Sequence, residues 1–316
     1  MAFRKSKWIP GTHGDQPVSD AARSALRLRL DSVSHFLPLA ALAPEEDLEY
    51  VHQLRVSTRR AAAALETFRT LLPKDERKWI ARRLREARKA AGLARDLDVL
   101  EQRLAAACGD NGSTGLHALV DLVRRERAAA QPALYRAHKR LRKRKFPRRA
   151  RALAREARYR QKGDEPGLGA FAREALRAAV AGAFDPVRGG FADAESLHRF
   201  RIDIKGLRYA MELFAGAFPQ DFRREVYRQV AELQQHLGDV NDHHATGATY
   251  EAWRSAASGA LGVALDHELE RERQALQAAR AGFEAWWRAH GSDLERAILR
   301  YLDGGPSSTT AERATA

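Results

Sequence analysis

His52, Arg55 and Arg59 follow one another at steps of three and four residues, and His198, Arg201 and Lys205 repeat the pattern. With His52 placed at 0° on a helix turning about 100° per residue, Arg59 falls near 340° and Arg55 near 300°, while Leu54, Ala61, Leu65, Phe68 and Leu72 gather at roughly 160° to 220°. His198, Lys205, Arg201 and Arg208 take the matching polar side of the second segment, opposite Phe200, Leu207, Met211, Phe214 and Phe218. The segment that follows adds Lys78, Arg82, Arg85 and Lys89 along one side, with Arg224 and Arg228 at the corresponding places of the second copy. Like charges at these spacings repel by a few tenths of a kcal/mol per pair, about 0.2–0.5 in an isolated helix, and an anionic partner relieves them. Arginine offers paired donors that suit phosphate oxygens, lysine a compact charge, and histidine a donor once protonated, below about pH 6.5 unless its surroundings move it. Basic side chains are also common on solvated helix faces. Their recurrence in two copies of a sequence that has otherwise drifted favours a binding stripe.

The elements that carry these residues come from an internal repeat. Residues 51–98 align with 197–244 at a constant offset of 146 without a gap, with about 12 identities in 48 positions, among them Glu66 with Glu212, Phe68 with Phe214, Pro73 with Pro219, Gly92 with Gly238 and Asp96 with Asp242. Apolar residues recur at helical spacing over 20–42, 45–72, 74–108, 113–145, 167–184, 194–218, 219–256 and 260–302. The breaks fall at Pro44, Pro73, 109–115, 163–169, Gly189-Gly190, Pro219 and Gly259, and no segment shows strand alternation. The pattern predicts an all-α fold: two four-helix bundles from a tandem duplication, related by a pseudo-twofold axis. The expected divisions are a basic N-terminal tail (1–17), a first helical repeat with a basic extension (18–162), a second repeat (163–302) and a disordered tail (303–316).

Composition bounds the partners. The 316 residues carry a net charge of +14, 44% hydrophobic residues, 11 Pro and 22 Gly. Residues 136–162 alone hold fourteen Lys and Arg against one acid, Glu156, so this run makes the chain basic. Such a surface attracts phosphate chains of any kind: inorganic polyphosphate, nucleic acid and acidic membranes stay open on charge alone. The run has no repeat partner and only Phe146 and Tyr159 as aromatic interleaving, so it fits an auxiliary polyanion contact and a solvated helix equally. One cysteine, Cys108, permits no intrachain disulfide, and no apolar stretch reaches the ~18 residues of a membrane span. A cytoplasmic protein is expected.

Catalysis finds no carrier. There is no Gly-rich phosphate loop, nucleophile elbow or Cys/His pair, and the acidic cluster Glu45, Glu46, Asp47 and Glu49 lacks a following lysine and a strand pattern. Asp96, Asp98, Asp239, Asp242, His243 and His244 are of metal-ligand type. Asp96 and Asp242 sit at equivalent positions and are better read as partners of nearby arginines, so no metal or other cofactor is expected.

The segments VHQLRVSTRRAAAALETF (51–68) and LHRFRIDIKGLRYAMELF (197–214), followed by AGLARDLDVL (91–100) and HLGDVNDHHA (236–245), resemble the two signature stretches of the CHAD domain, the conserved-histidine α-helical domain. The likeness covers roughly 18–302. It implies two four-helix bundles around a basic channel that binds inorganic polyphosphate, often at polyphosphate granules, without catalysis. By position, His52, Arg55 and Arg59 match the first motif, and His198, Arg201, Lys205, Arg208 and Tyr209 the second. The sequence departs from the family at Ala62 and Gly206, where a base is usual, which would thin the charge there. Nucleic-acid binding through 136–162 is the second reading, and a phosphohydrolase acting on phosphate chains the third.

Overall fold

A computed structural model of the chain describes residues 6–108, 113–191 and 193–304. The break read at 109–112 and the tail from 305 onward lie outside the described residues, as do Arg4 and Lys5 of the basic N-terminal segment. The described residues are helical throughout, with no strand among them beyond one isolated bridge between Pro17 and Gly167. They fall into two compact units, which are not continuous in sequence: one comprises 19–108, 113–162 and 244–274, the other 6–18, 163–191, 193–243 and 275–304.

The first unit is built from α1 (Val18–Leu42), α2 (Glu49–Thr67), α3 (Lys74–Cys108), α4 (Thr114–Lys143) and α5 (Phe146–Arg155). Ala22, Leu26, Leu30, Val33 and Leu37 step by three or four residues along α1 and are buried, the stripe that a helix needs to seat on its neighbours. α3 packs on α2 on one side and α4 on another, through Ile80, Leu84, Ala87, Ala91 and Ala94, all buried. Gln131 of α4 donates to the Ala40 and Ala41 carbonyls, both at 3.0 Å, and so satisfies orphan acceptors at the end of α1.

The periodicity predicts a helix over 113–145, and α4 ends at Lys143; a further helix that the periodicity does not predict starts at Phe146. Lys145 between them adopts a left-handed backbone, φ 53°, an uncommon conformation for a residue with a side chain. The turn lets Phe146, Ala150, Leu153 and Ala154 of α5 face the core. Arg149 clamps Glu76 through two hydrogen bonds of 2.7 and 2.6 Å and lies over the Trp79 ring, 3.6 Å from its centroid. Part of the basic run is therefore structural.

The second unit holds α6 (Leu168–Phe184), α7 (Ala194–Phe214), the first part of α8 (Tyr227–Arg254) and the last part of α9 (Gly259–Leu302). α8 and α9, of 28 and 44 residues, each contribute residues to both units. Phe184, Phe191, Phe200, Phe283 and Trp287 form an aromatic cluster, with Phe200 and Trp287 edge to face at 5.0 Å. Residues 6–18 belong here too: Ile9 is buried, Trp8 meets Tyr227 edge-on at 4.8 Å, and the Gly169 and Leu168 amides donate to the Gly14 and Gln16 carbonyls. Gly216 is required beneath this segment, since a Cβ there would lie 2.2 Å from the Thr12 hydroxyl.

One local device recurs at the 146-residue offset. A 3-10 turn follows α2 at Arg69–Leu71 and α7 at Ala215–Ala217, and each is closed by an extended residue, Leu72 (φ −112°, ψ 145°) and Phe218 (φ −122°, ψ 158°). Pro73 and Pro219 explain both, because proline drives the residue before it out of the helical region.

Candidate functional site

In the first unit, α2 and α3 run side by side and present their basic faces to one recess of about 320 Å³, lined by Arg55, Arg59, Arg85, Arg88, Lys89 and Gly92. Five cations from two helices thus meet in one small space. Arg55 is fixed by donating to the Gly92 carbonyl at 3.1 Å and by pairing with Asp96. Arg85, Arg88 and Lys89 are exposed, and none of them has a carboxylate partner among the described residues. Packing sets this division: Ile80, Leu84, Ala87 and Ala91 take the core side of α3, which leaves 85, 88, 89 and 92 together on the other. Gly92 adds no side chain to the floor of the recess.

Four residues named from the sequence, Arg55, Arg59, Arg85 and Lys89, come together here. Lys78 and Arg82 are exposed further toward the start of α3 and do not line the recess. Arg88 is an addition; it lies one turn beyond Arg85, off the strict stripe counted along the helix.

His52 is half-buried beside the recess. Burial, Arg95, and then Arg55 and Arg59 hold its imidazole below the ordinary value of 6.5, with Glu49 opposing. The folded chain then binds this proton less readily than the unfolded chain, so the contribution of His52 to stability is present above pH 6.5 and is lost as pH falls through that value toward the depressed folded one. An anion seated on Arg55 and Arg59 would raise the imidazole again, and its binding would tighten with acidification over the same window. An NMR titration of His52 should show a midpoint below 6.5 in the free protein, moving up when an anion is seated on Arg55 and Arg59. A free midpoint at or above 6.5 would refute the electrostatic account.

In the second unit the same positions diverge. His198 is exposed, and Arg201 and Lys205 are half-buried on α7. Arg208 is turned inward: it donates to Glu212 at 2.8 Å, to the Tyr227 hydroxyl at 2.7 Å and to Gln234, and lies over the Tyr209 ring, 4.6 Å from its centroid. Tyr209 is itself buried. The reason is Glu212, fully buried and in need of a cation, whereas its repeat counterpart Glu66 is exposed and met by Arg69 and Arg77, with Ala62 in place of the arginine. Arg224, in a π-helical turn at Phe222–Val226, donates to Gln220; Arg228 is exposed on α8. The counterparts of Arg85, Arg88 and Lys89 are Ala231, Gln234 and Gln235, so α8 does not reproduce the charge of α3.

The acids weighed as metal ligands have other partners. Asp96 holds Arg55, and buried Asp98 holds Arg127. Burial pushes the Asp98 carboxyl up in spite of that arginine. Asp239 accepts from Gln235 at 2.6 Å, and Asp242 from Asn241 at 3.1 Å.

The family model of the CHAD domain matches residues 24–251. A crystal structure of the CHAD domain from the plant Ricinus communis superposes with a TM-score of 0.61 at 24% identity, covering 96% of this chain and 97% of that one. PptA from Streptomyces chartreusis gives 0.63 at 22% identity, covering 86% of this chain and all of that one. At these identities the likeness speaks for the fold. No curated protein matches the chain. The matched family model spans more than half of the sequence and includes both histidine-arginine stripes: the chain belongs to the CHAD domain family.

Proposed function

We propose that the chain binds inorganic polyphosphate without hydrolysing it, at polyphosphate granules. The family is one associated with polyphosphate binding. The observation that carries the reading for this chain is the α2–α3 recess, where Arg85, Arg88 and Lys89 stand without carboxylate partners next to Arg55 and Arg59. Three cations held together at helical spacing repel one another until an anion with closely spaced charges is placed among them, and a phosphate chain has one such charge on every unit. The matched turns before Pro73 and Pro219 support reading the chain as a tandem duplication whose copies are two four-helix bundles related by a pseudo-twofold axis.

Shape decides between phosphate polymers. A recess of about 320 Å³ takes a thin, unbranched chain, while a duplex about 20 Å across touches only its rim. In a competition at physiological salt, long polyphosphate should displace duplex and single-stranded nucleic acid supplied at equal phosphate. Chain length should stay unchanged after long incubation with Mg²⁺ or Mn²⁺. Equal affinity for DNA would favour a nucleic-acid surface, and metal-dependent release of orthophosphate would overturn the non-catalytic reading.

A further inference from the structure

A second set of arginines gathers elsewhere in the first unit, on residues the α2–α3 recess does not use. Two adjoining hollows lie between α1, α5 and the segment after α5, of about 670 and 420 Å³. They share Arg23 and Arg155 and so form one groove. Arg27 and Arg151 line it on one side of that shared pair, Arg158 and Arg160 on the other. Every cation in the groove is arginine, the side chain whose planar fork matches a phosphate group.

Two of these guanidiniums are positioned by neutral backbone acceptors. Arg23 donates to the Ala157 carbonyl at 3.0 Å, and Arg160 to the Leu71 and Glu156 carbonyls at 3.2 and 3.3 Å. A carbonyl fixes the direction of a guanidinium and leaves its full charge uncancelled. The acids present among the described residues are Asp31, which holds Arg151 at 2.9 Å and lies 3.9 Å from Arg27, Asp20, which pairs with Arg23, and Glu156. Arg155 and Arg158 are exposed with no carboxylate partner among the described residues. The groove thus has six cations against three acids and keeps a net positive charge.

Its lining also limits the ligand. Among the described residues no aromatic ring lines it, so they offer no stacking platform of the kind single-stranded nucleic acid uses. The apolar side chains of α5, Phe146 and Leu153, are buried against the protein and offer nothing to a lipid interior. What remains is recognition of phosphate charge alone.

We infer that this α1–α5 groove is a second, weaker site for inorganic polyphosphate, so that one chain of this protein holds two phosphate strands, or two stretches of one strand. The inference rests on the polyphosphate reading of the α2–α3 recess. The groove is the weaker because Asp20, Asp31 and Glu156 lie among its arginines, whereas Arg85, Arg88 and Lys89 of the recess have no carboxylate partner among the described residues. A protein with two such sites cross-links long polyphosphate, which is what a granule component needs to do.

The test counts sites with tripolyphosphate by calorimetry and native mass spectrometry. The wild-type chain should take up two equivalents. The variant Arg27→Gln/Arg155→Gln/Arg158→Gln removes three guanidiniums that donate no hydrogen bond within the fold; circular dichroism should be unchanged, and the weaker equivalent should lose about tenfold or more in affinity. Light scattering with long polyphosphate should fall in the same variant, because a one-site protein coats a chain without bridging it. Two undiminished equivalents in this variant, or a single equivalent in the wild type, would overturn the second site and leave the recess standing. Loss of single-stranded RNA binding with both tripolyphosphate equivalents retained would make the groove a nucleic-acid surface and likewise overturn it. A wild-type chain that takes up no polyphosphate of any length would instead bring down the function reading itself.

Discussion

Replacing Arg85, Arg88 and Lys89 together by Gln should weaken the tighter polyphosphate site by on the order of 100-fold, from about 1 kcal/mol or more for each lost charge-assisted contact. Folding should not suffer. All three side chains are exposed and lack carboxylate partners among the described residues, and removing like charges at i,i+3 and i,i+4 relieves a few tenths of a kcal/mol, about 0.2–0.5 per pair. Affinity and stability therefore move independently, which a site built into the core would not permit. The salt dependence of binding should also flatten, since fewer counterions are displaced when fewer cations meet phosphate. The control is neutralisation of Arg142, Lys143, Arg144 and Lys145, which removes more charge but from outside the α2–α3 recess; its effect should be smaller. The reverse order of effects, measured by calorimetry under one buffer, would place the site on the basic run.

Periodicity and proline placement made most of the helices legible. α3 spans the predicted 74–108, and α1, α4, α6 and α9 lie within two residues of the predicted ends. The expected 45–72 and 194–218 run past the helix ends because apolar spacing continues through the 3-10 turns that Pro73 and Pro219 impose. α5 was hidden for a different reason. Its buried residues Phe146, Ala150, Leu153 and Ala154 keep helical spacing, but the intervening arginines dominate the composition, and Lys145 gives no glycine signal for the left-handed turn that separates it from α4.

The site was legible in its residue types and less so in its membership. Counting 100° per residue separates a polar from an apolar side and so finds Arg55, Arg59, Arg85 and Lys89. It cannot say which member of a polar side faces another helix, and so it groups Lys78 and Arg82 with Arg85 and Lys89 and leaves out Arg88. The fate of Arg208 depends on burial of Glu212, a tertiary fact that the identical Glu66 in the first copy does not share. A local signal did exist: the first copy has Ala62 where the second has Arg208, and Ala81 where the second has Tyr227, so these two partners of the buried glutamate are absent together.

That pairing leads to the largest expected effect on stability. The Glu212 carboxylate is fully buried and is met by Arg208 at 2.8 Å and the Tyr227 hydroxyl at 2.9 Å. Burial and the nearby Glu212 charge push the Tyr227 phenol up, so it stays protonated and donates to the carboxylate at neutral pH. Arg208→Met keeps much of the side-chain volume and removes the guanidinium, leaving a carboxylate inside the bundle without its arginine. Breaking a buried pair from one side in this way costs about 3–5 kcal/mol. Adding Glu212→Gln to Arg208→Met removes the stranded charge while keeping an acceptor for Tyr227, so the double variant should recover a large part of the loss. Denaturant unfolding of the two single variants and the double variant measures the coupling directly. Polyphosphate affinity of the α2–α3 recess should be unchanged in the double variant, because Arg208 holds the second unit together and the recess lies wholly within the first. Additive losses, with the double variant less stable than Arg208→Met alone, would show that Arg208 stabilises the bundle by some means other than Glu212.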